Sequence, residues 1–275
     1  MTVRSTWKSL RNKLLTAGCV SLFAGSALVD ANAVVLCLYE ENFDSLGPLL
    51  PFNNPPNAGG TGSDWTNVPP TGWVADNSGI TPDLNHPDFY GFTFLNKESW
   101  IATEGDQDRS LFTNGSGNVM VADPDAYDDA PGTIGPNGFN AFMTTSPIDL
   151  TNITAGSIVL MFDSSFRPEG TQTATLEVSY DGGNNYEEIL RYDTGNTINE
   201  FDRINESLSF PLNNPTGGEL LFRFGMTEAG NNWWWAVDNI CVTGEVIPEP
   251  STLVLAGMGL AAVAGVTWNR RRKNA

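Results

Sequence analysis

The chain has 275 residues and a formal net charge of −18, from 32 acidic against 14 basic side chains. Most of the basic residues lie near the two ends. Between residues 34 and 250, six Lys or Arg residues face 31 Asp or Glu residues, a net charge of about −25. A body this acidic repels nucleic acid and anionic lipid, so we predict no nucleic-acid partner. Its length is enough for one well-cored domain.

The first 33 residues have the layout of a secretory signal peptide. A basic start that includes Arg4 and Lys8 precedes an apolar stretch over residues 14–29, and Ala31-Asn32-Ala33 provides a small-residue cleavage site. The alternative is a lipoprotein signal around Cys19. We therefore expect export, with one folded domain over residues 34–246.

Cys37 and Cys241 are the two cysteines that remain after the predicted signal peptide. Two cysteines in an oxidising compartment usually pair, which predicts a disulfide between them. Because they lie at opposite ends of the domain sequence, the bond would join its first strand to its last. The alternative is a pair of unbonded, buried thiols.

Short apolar or alternating runs, separated by Gly, Pro and Asn, follow one another through the body of the chain. The clearest alternation places Ala174, Leu176 and Val178 on one face, which predicts a half-buried strand over residues 173–180. Residues 181–185 then predict a hairpin loop. Further strands are predicted at residues 34–39, near Trp73, and at residues 92–94, 100–101, 118–122, 139–145, 157–162, 186–192, 220–224 and 233–242.

The connecting segments favour a β fold as well. A long Pro- and Gly-rich loop covers residues 45–71, and an acidic loop covers residues 123–129. No sustained helical period is present between residues 34 and 246. Many short strands with such turns predict an all-β protein, a two-sheet antiparallel sandwich of jelly-roll type.

The C-terminal residues 247–275 have a layout of their own. Pro248-Glu249-Pro250 precedes an uncharged apolar run over residues 252–268, which is at the short limit for a transmembrane helix. A basic tail over residues 270–273 follows, which includes Arg270, Arg271 and Arg272 and is expected to stay on the cytoplasmic side. An ordinary C-terminal anchor is the alternative interpretation.

This order of features resembles the PEP-CTERM sorting signal of Gram-negative bacteria. The resemblance implies recognition by an exosortase at the Pro-Glu-Pro segment and a transient stay in the inner membrane. It further implies removal of the span and delivery to the cell envelope or the extracellular matrix.

Three other stretches look like the jelly-roll modules called choice-of-anchor J and their MAM-like and concanavalin-A-like relatives. They are Asn42-Phe43-Asp44 with residues 69–73, residues 176–183, and residues 235–240. The resemblance implies a β-sandwich whose first and last strands are neighbours, adhesion or carbohydrate contact, and often a structural calcium. Residues 89–131 form a longer insert than such modules usually have.

An antiparallel pairing of the first and last strands predicts a cation site. If Cys37 lies opposite Cys241, Glu40 falls opposite Asp238, and two like charges face each other across the sheet. A calcium ion between them would reverse the sign of this interaction. Glu41 and Asp44 lie near enough in sequence to add oxygen ligands. The alternative is that these side chains point apart into water.

Two further groups are candidate sites. The aspartates of the acidic loop have oxygen ligands at short spacing, although the loop lacks the glycine and the final Glu of an EF-hand. Its alternative is a solvated loop. The run of three tryptophans predicts at least one exposed ring, a platform for a sugar or a protein, or else three buried rings. The residues of these two groups are Asp123, Asp125, Asp128 and Asp129, and Trp233, Trp234 and Trp235.

Catalysis has little support in the sequence. His86 is the sole histidine, and no G-x-S-x-G motif surrounds Ser116. The leading hypothesis is therefore a non-enzymatic, exported protein that acts in adhesion or polysaccharide contact, with structural calcium. The alternatives are a secreted hydrolase of polysaccharide or phosphoester, and a structural matrix protein without a ligand.

Overall fold

The computed structural model describes residues 34–46, 65–85, 88–102, 106–129, 133–193 and 203–246, together with residues 257, 259–261 and 263. The predicted signal peptide, Pro248, Glu249 and Pro250, Arg270 to Arg272, and His86 lie outside these described residues, as does most of the predicted span. Residues 257, 259–261 and 263 are helical. Among the described residues, no helix has the length and apolar character needed to cross a membrane.

Thirteen strands form within the described residues, and their bounds follow the alternation of the sequence closely. They are β1 (Val34–Glu41), β2 (Trp65–Thr66), β3 (Val74–Asp76), β4 (Phe92–Asn96), β5 (Asn118–Ala122), β6 (Phe139–Thr144), β7 (Ile148–Asp149), β8 (Val159–Phe166), β9 (Thr173–Ser179), β10 (Glu187–Asp193), β11 (Glu206–Pro211), β12 (Glu219–Ala229) and β13 (Trp235–Val246).

The strands form two antiparallel sheets, which confirms the predicted two-sheet sandwich. The larger sheet has the order β11-β8-β13-β5-β4-β2, with β1 also paired to β13. The smaller sheet has the order β10-β9-β12-β6-β3, with β7 also paired to β12. The first and last strands are antiparallel neighbours, as the resemblance implied.

Aromatic side chains from the two sheets meet in the core. Phe224 of the smaller sheet packs edge-on against Phe162, with ring centroids 5.9 Å apart, and tilted against Trp235 at 5.6 Å. Trp73 stacks on the same Phe224 ring at 6.4 Å. Burial of such large apolar rings between two sheet faces is the main stabilising contribution to a sandwich.

Residues 89–131 contribute β4 and β5 to the larger sheet, and the residues between these strands contact the start of β13 through Arg109 on Trp234 and the Ser116 N–H on Asp238. They contain β4, β5, two short helices, α1 (Lys97–Ala102) and α2 (Pro124–Asp128), and a 3₁₀ turn at Arg109–Leu111. The prediction of a strand at residues 100–101 was wrong, because α1 occupies this position. The Asn96 side chain accepts hydrogen bonds from the backbone N–H groups of Glu98 and Ser99, which caps the start of the helix.

Strand β13 has β8 along one edge and two different partners along the other. Trp235 to Val237 pair with β5, and Ile240 to Val246 pair with β1. The change of partner falls at Asp238 and Asn239, where the pairing with β8 also contains an irregularity. Asn239 adopts a left-handed backbone conformation there, with φ of 53°. The extra residue of β13 lies after Asp238, so the side chains beyond it no longer follow the alternation of Trp235 to Asp238.

Candidate functional site

The predicted register between the first and last strands is wrong. Cys37 pairs with Thr243, Glu40 with Cys241 and Glu41 with Ile240, so Glu40 does not face Asp238. Cys37 is already offset by two residues from its predicted partner Cys241, and a bulge between Cys37 and Tyr39, which inserts one extra residue into β1, adds a third residue of offset at Glu40.

Asp238 is fully buried and held by backbone N–H groups. Its Oδ2 accepts a hydrogen bond of 2.9 Å from Ser116, and its Oδ1 accepts one of 2.7 Å from Asn239. Burial raises the pKa of this carboxyl to about 7, and the negative charges of Asp44 and Asp163 act in the same direction. Asp238 is therefore a structural acid at the change of partner in β13.

The carboxylates of Asp44 and Glu41 also accept hydrogen bonds from backbone N–H groups. Asp44 Oδ1 accepts from the Asn118 N–H at 2.8 Å, and Glu41 Oε1 accepts from the Phe43 N–H at 2.7 Å. A Cβ at Gly117, whose φ is +60°, would collide with the same Asp44 oxygen. These carboxylates bind backbone donors, and they do not gather with Glu40 and Asp238 into a group of metal-binding atoms within the described residues. The geometry thus does not fit the predicted calcium cage.

The acidic segment at residues 123–129 is a capped helix and not a solvated loop. Asp123 is buried, caps α2 through the Ala126 N–H, and accepts from Trp100 Nε1 and Arg109 Nη2, each at 2.9 Å. Asp128 accepts from the Ile134 N–H and from Asn231 Nδ2.

The other two aspartates of this segment differ in exposure. Asp125 is buried, and burial followed by the charges of Asp123 and Asp129 raises its pKa to about 6. Asp129 is exposed. The four aspartates do not form a metal-binding group among the described residues.

The tryptophan run is mostly buried, which corrects the idea of an exposed platform. Trp234 and Trp235 are fully buried, and their Nε1 groups donate to Ser165 Oγ and Ser164 Oγ. Trp233 is half-buried and precedes β13, with the Arg167 guanidinium carbon 3.1 Å from its ring centroid. An arginine stacked this closely covers the ring face that a ligand would need.

Cys37 and Cys241 are both free thiols, so the predicted disulfide is not formed in this structure. They are diagonal neighbours in the β1–β13 ladder, because Cys37 pairs with Thr243, two residues from Cys241. Burial is the main cause that raises the pKa of the Cys37 thiol to about 11, with Glu40 and Cys241 adding to it. The sulfur atoms and a Glu40 oxygen all lie within 4.8 Å of one another.

Two clefts lie on the larger sheet, lined by residues of β1, β8, β11 and β13. The first has a volume of about 500 Å³ and is lined by Glu40, Glu41, Asn42, Ser45, Asn239, Ile240 and Cys241. The second has a volume of about 290 Å³ and lies over β8 and β11. Asn239 lines both, so the two clefts adjoin at this residue.

A hydrogen-bonded group of amides and hydroxyls lies where the two clefts adjoin. Asn239 Nδ2 donates to Asp163 Oδ2 at 2.9 Å, and the Ser207 hydroxyl donates to the other oxygen of Asp163. Asn114 donates its backbone N–H to Asn205 Oδ1 at 2.9 Å and its Nδ2 to Ser207 Oγ at 3.1 Å. We call Asn114, Asp163, Asn205, Ser207 and Asn239 the amide cluster.

No local sequence pattern identifies the members of the amide cluster. Its members come from four separate segments of the chain, and Asn114 and Asn239 are 125 positions apart. The only local signal is the asparagine at position 239, which interrupts the apolar run of the last strand. The other members of the cluster can be found only when β11, β8 and β13 are known to be adjacent in the larger sheet.

The basic side chains of the domain form ion pairs or hydrogen bonds outside the two clefts. Arg109, Arg167, Arg191, Arg203 and Arg223 form ion pairs with acidic residues. Lys97 Nζ donates to the carbonyl oxygens of Phe112 and Gly115. None of the described side chains that line the two clefts is basic. The clefts are therefore neutral to acidic and suit an uncharged ligand better than an anionic one.

The fold and the clefts define an antiparallel β-sandwich with a polar recess on one outer face. The PEP-CTERM protein-sorting motif matches residues 246–273. This motif marks the chain as an exported protein that is sorted through exosortase and anchored in the membrane before processing. A search of curated proteins gave no match.

Among solved structures, the chain is similar to a cleaved adhesin domain of Lys-gingipain from Porphyromonas gingivalis. The identity is 12%, the TM-score is 0.40, and the alignment covers 76% of this chain and 97% of that domain. It is also similar to a carbohydrate-binding module in complex with beta-1,4-galactotriose, with 11% identity, a TM-score of 0.37, and coverage of 62% of this chain and 88% of the module. Similarity at this level of identity and TM-score does not identify a ligand for this chain.

Proposed function

We propose that this protein is a non-enzymatic, exported envelope or extracellular-matrix protein of a Gram-negative bacterium that contacts a neutral polysaccharide through its amide cluster. The supporting observation is the amide cluster itself, which lies where two clefts on the larger sheet adjoin. Exosortase is the processing partner, and the inner membrane holds the protein before the tail is removed.

The chemistry of the amide cluster matches that of sugar hydroxyls. Each hydroxyl both donates and accepts hydrogen bonds, and each asparagine side chain offers two N–H donors and a carbonyl acceptor. Asn205, Ser207 and Asn239 are exposed, so they can bind a ligand in addition to one another. Their mutual hydrogen bonds hold the groups in place before binding, which lowers the entropy cost of recognition.

The negative charge of the domain restricts which polysaccharides it can bind. With six basic residues against 31 acidic ones, and all six engaged within the fold, an anionic polysaccharide would meet repulsion. A neutral polymer avoids this cost. In the proposed matrix location, polysaccharide would surround the exported domain.

A glycan array with the purified protein, read for both binding and product release, tests this proposal. Binding without turnover is the expected result. Turnover that depends on one or two carboxylates would support the hydrolase alternative and overturn the proposal. The absence of both binding and turnover would favour a structural matrix protein without a ligand.

A further inference from the structure

We propose that Cys37, Cys241 and Glu40 form a zinc-binding site at the wall of the larger cleft. This site is separate from the amide cluster and does not depend on polysaccharide binding. It follows from the pairing of β1 with β13 and from the chemistry of the three side chains.

The bulge in β1 brings the three side chains to one face. In a regular strand, residues three positions apart point to opposite faces. The extra residue between Cys37 and Tyr39 changes this alternation, so Cys37 and Glu40 point the same way. Cys241 lies directly opposite Glu40 on β13 and shares that face. Without the bulge, Glu40 would lie on the other face of the sheet from Cys37.

The distances suit a single ion. The two sulfur atoms and a Glu40 oxygen all lie within 4.8 Å of one another. Zinc binds thiolate sulfur at about 2.3 Å, so two sulfurs on one tetrahedral ion lie about 3.8 Å apart. Small side-chain rotations are enough to reach that separation, because Cys37 is exposed and Cys241 is only half-buried.

The donor set selects the metal. Two sulfur ligands disfavour calcium and magnesium, which prefer oxygen, and favour zinc among common divalent ions. Two thiolates and one carboxylate carry three negative charges, and the described side chains lining the cleft include no basic group that could neutralise them. Three protein ligands leave the fourth tetrahedral position for water, on the side that opens to the 500 Å³ cleft.

The same two sulfurs have a competing reaction. Oxidation by a thiol–disulfide oxidoreductase would join them in a disulfide, with loss of both thiol protons and transfer of two electrons to the oxidant. That product removes both sulfur ligands. The zinc site therefore requires that the exported protein keeps Cys37 and Cys241 as thiols.

To test this, the exported protein is isolated without reductant and its free thiols are counted. It is then titrated with zinc in competition with a chromophoric chelator. A second titration uses cobalt(II), whose absorption spectrum reports thiolate ligands. We expect two free thiols or a zinc-bound pair, one zinc per chain, and a thiolate-to-cobalt charge-transfer band. Cys37→Ser and Cys241→Ser should each reduce the intensity of the band and weaken zinc binding at least tenfold, and replacement of both cysteines should abolish the band. Glu40→Gln should keep the band and weaken binding roughly tenfold.

Glu245→Gln is the matched control, since Glu245 lies in the same strand pair opposite Val35 and outside the cluster. It should bind zinc like the wild type. A disulfide between Cys37 and Cys241 in the isolated protein would overturn the proposal. So would the absence of one-to-one zinc binding, or binding that persists when both cysteines are replaced.

Discussion

Asp123 and Arg109 form an ion pair of 2.9 Å in which both side chains have no solvent exposure. The arginine also lies over the rings of Trp100 and Trp234, at 5.7 and 5.3 Å from their centroids. This pair joins the 3₁₀ turn at Arg109–Leu111 to the start of α2, directly after β5. It explains why an aspartate that looked like a metal ligand in the sequence has a structural role in the fold.

Loss of this pair should destabilise the domain strongly. Asp123→Asn removes the carboxylate charge that pairs with the buried Arg109 guanidinium, and we expect a loss of about 3 kcal/mol in the free energy of unfolding, measured with urea. Glu188→Gln is the control, because it breaks an ion pair with Arg191 that is 42% and 45% exposed. That change should cost less than about 0.5 kcal/mol. Equal effects of the two variants would contradict the buried pair.

The raised pKa of Asp238 predicts a decrease in stability with increasing pH. Its folded pKa of about 7 exceeds the ordinary value of 3.8. The folded state therefore keeps a proton that the unfolded state releases between these values, and the contribution to stability is present below about pH 4 and lost as pH rises through 7. Asp125, with a pKa raised to about 6, acts in the same direction.

Asp238→Asn should remove part of this decrease, on the order of 2 kcal/mol between pH 5 and pH 8. Urea unfolding at several pH values measures it. Asp149→Asn serves as control, since hydrogen bonds from Thr151 lower the pKa of that carboxyl. If Asp238→Asn showed the same pH dependence as the wild type, Asp238 would not be the titrating group.

Calcium should have little effect on stability. The oxygens of Asp44, Glu41 and Asp238 accept backbone N–H groups, so binding an ion would break hydrogen bonds that already exist. We expect addition of calcium, or of EDTA, to change the melting temperature by less than about 2 °C. A calcium-dependent increase of several degrees, lost in Asp44→Asn, would restore the calcium site predicted from the sequence.

Processing at the tail can be tested in cells. Replacement of Pro248-Glu249-Pro250 by three alanines should leave the protein uncleaved and in the membrane fraction, since the matched sorting motif covers residues 246–273. Gel mobility and fractionation measure the outcome. Glu245→Gln, just outside the matched segment, should be processed normally. Normal processing of the triple-alanine variant would show that cleavage does not depend on the Pro-Glu-Pro segment.

The sequence allowed the sandwich to be predicted, because alternation in segments such as β9 depends only on neighbouring residues. It did not allow the register of β1 to be predicted, since Cys37 pairs with Thr243 already before the bulge, and neither this offset nor the bulge leaves a recognisable local pattern. Helix α1 was missed because Trp100 and Ile101 look like a strand, although Asn96 is a good helix cap. The role of Asp123 depends on Arg109, which local spacing could not associate with it.

The most direct test of the proposed function compares polysaccharide binding by the wild type and by Asn239→Ala, using neutral and anionic polymers of similar size. Asn184→Ala is the control, an exposed amide in the loop between β9 and β10 that donates to Asp181. The account predicts binding of a neutral polymer only, reduced at least fivefold by Asn239→Ala and unchanged by Asn184→Ala. Preferential binding of the anionic polymer, or equal binding by both variants, would contradict it.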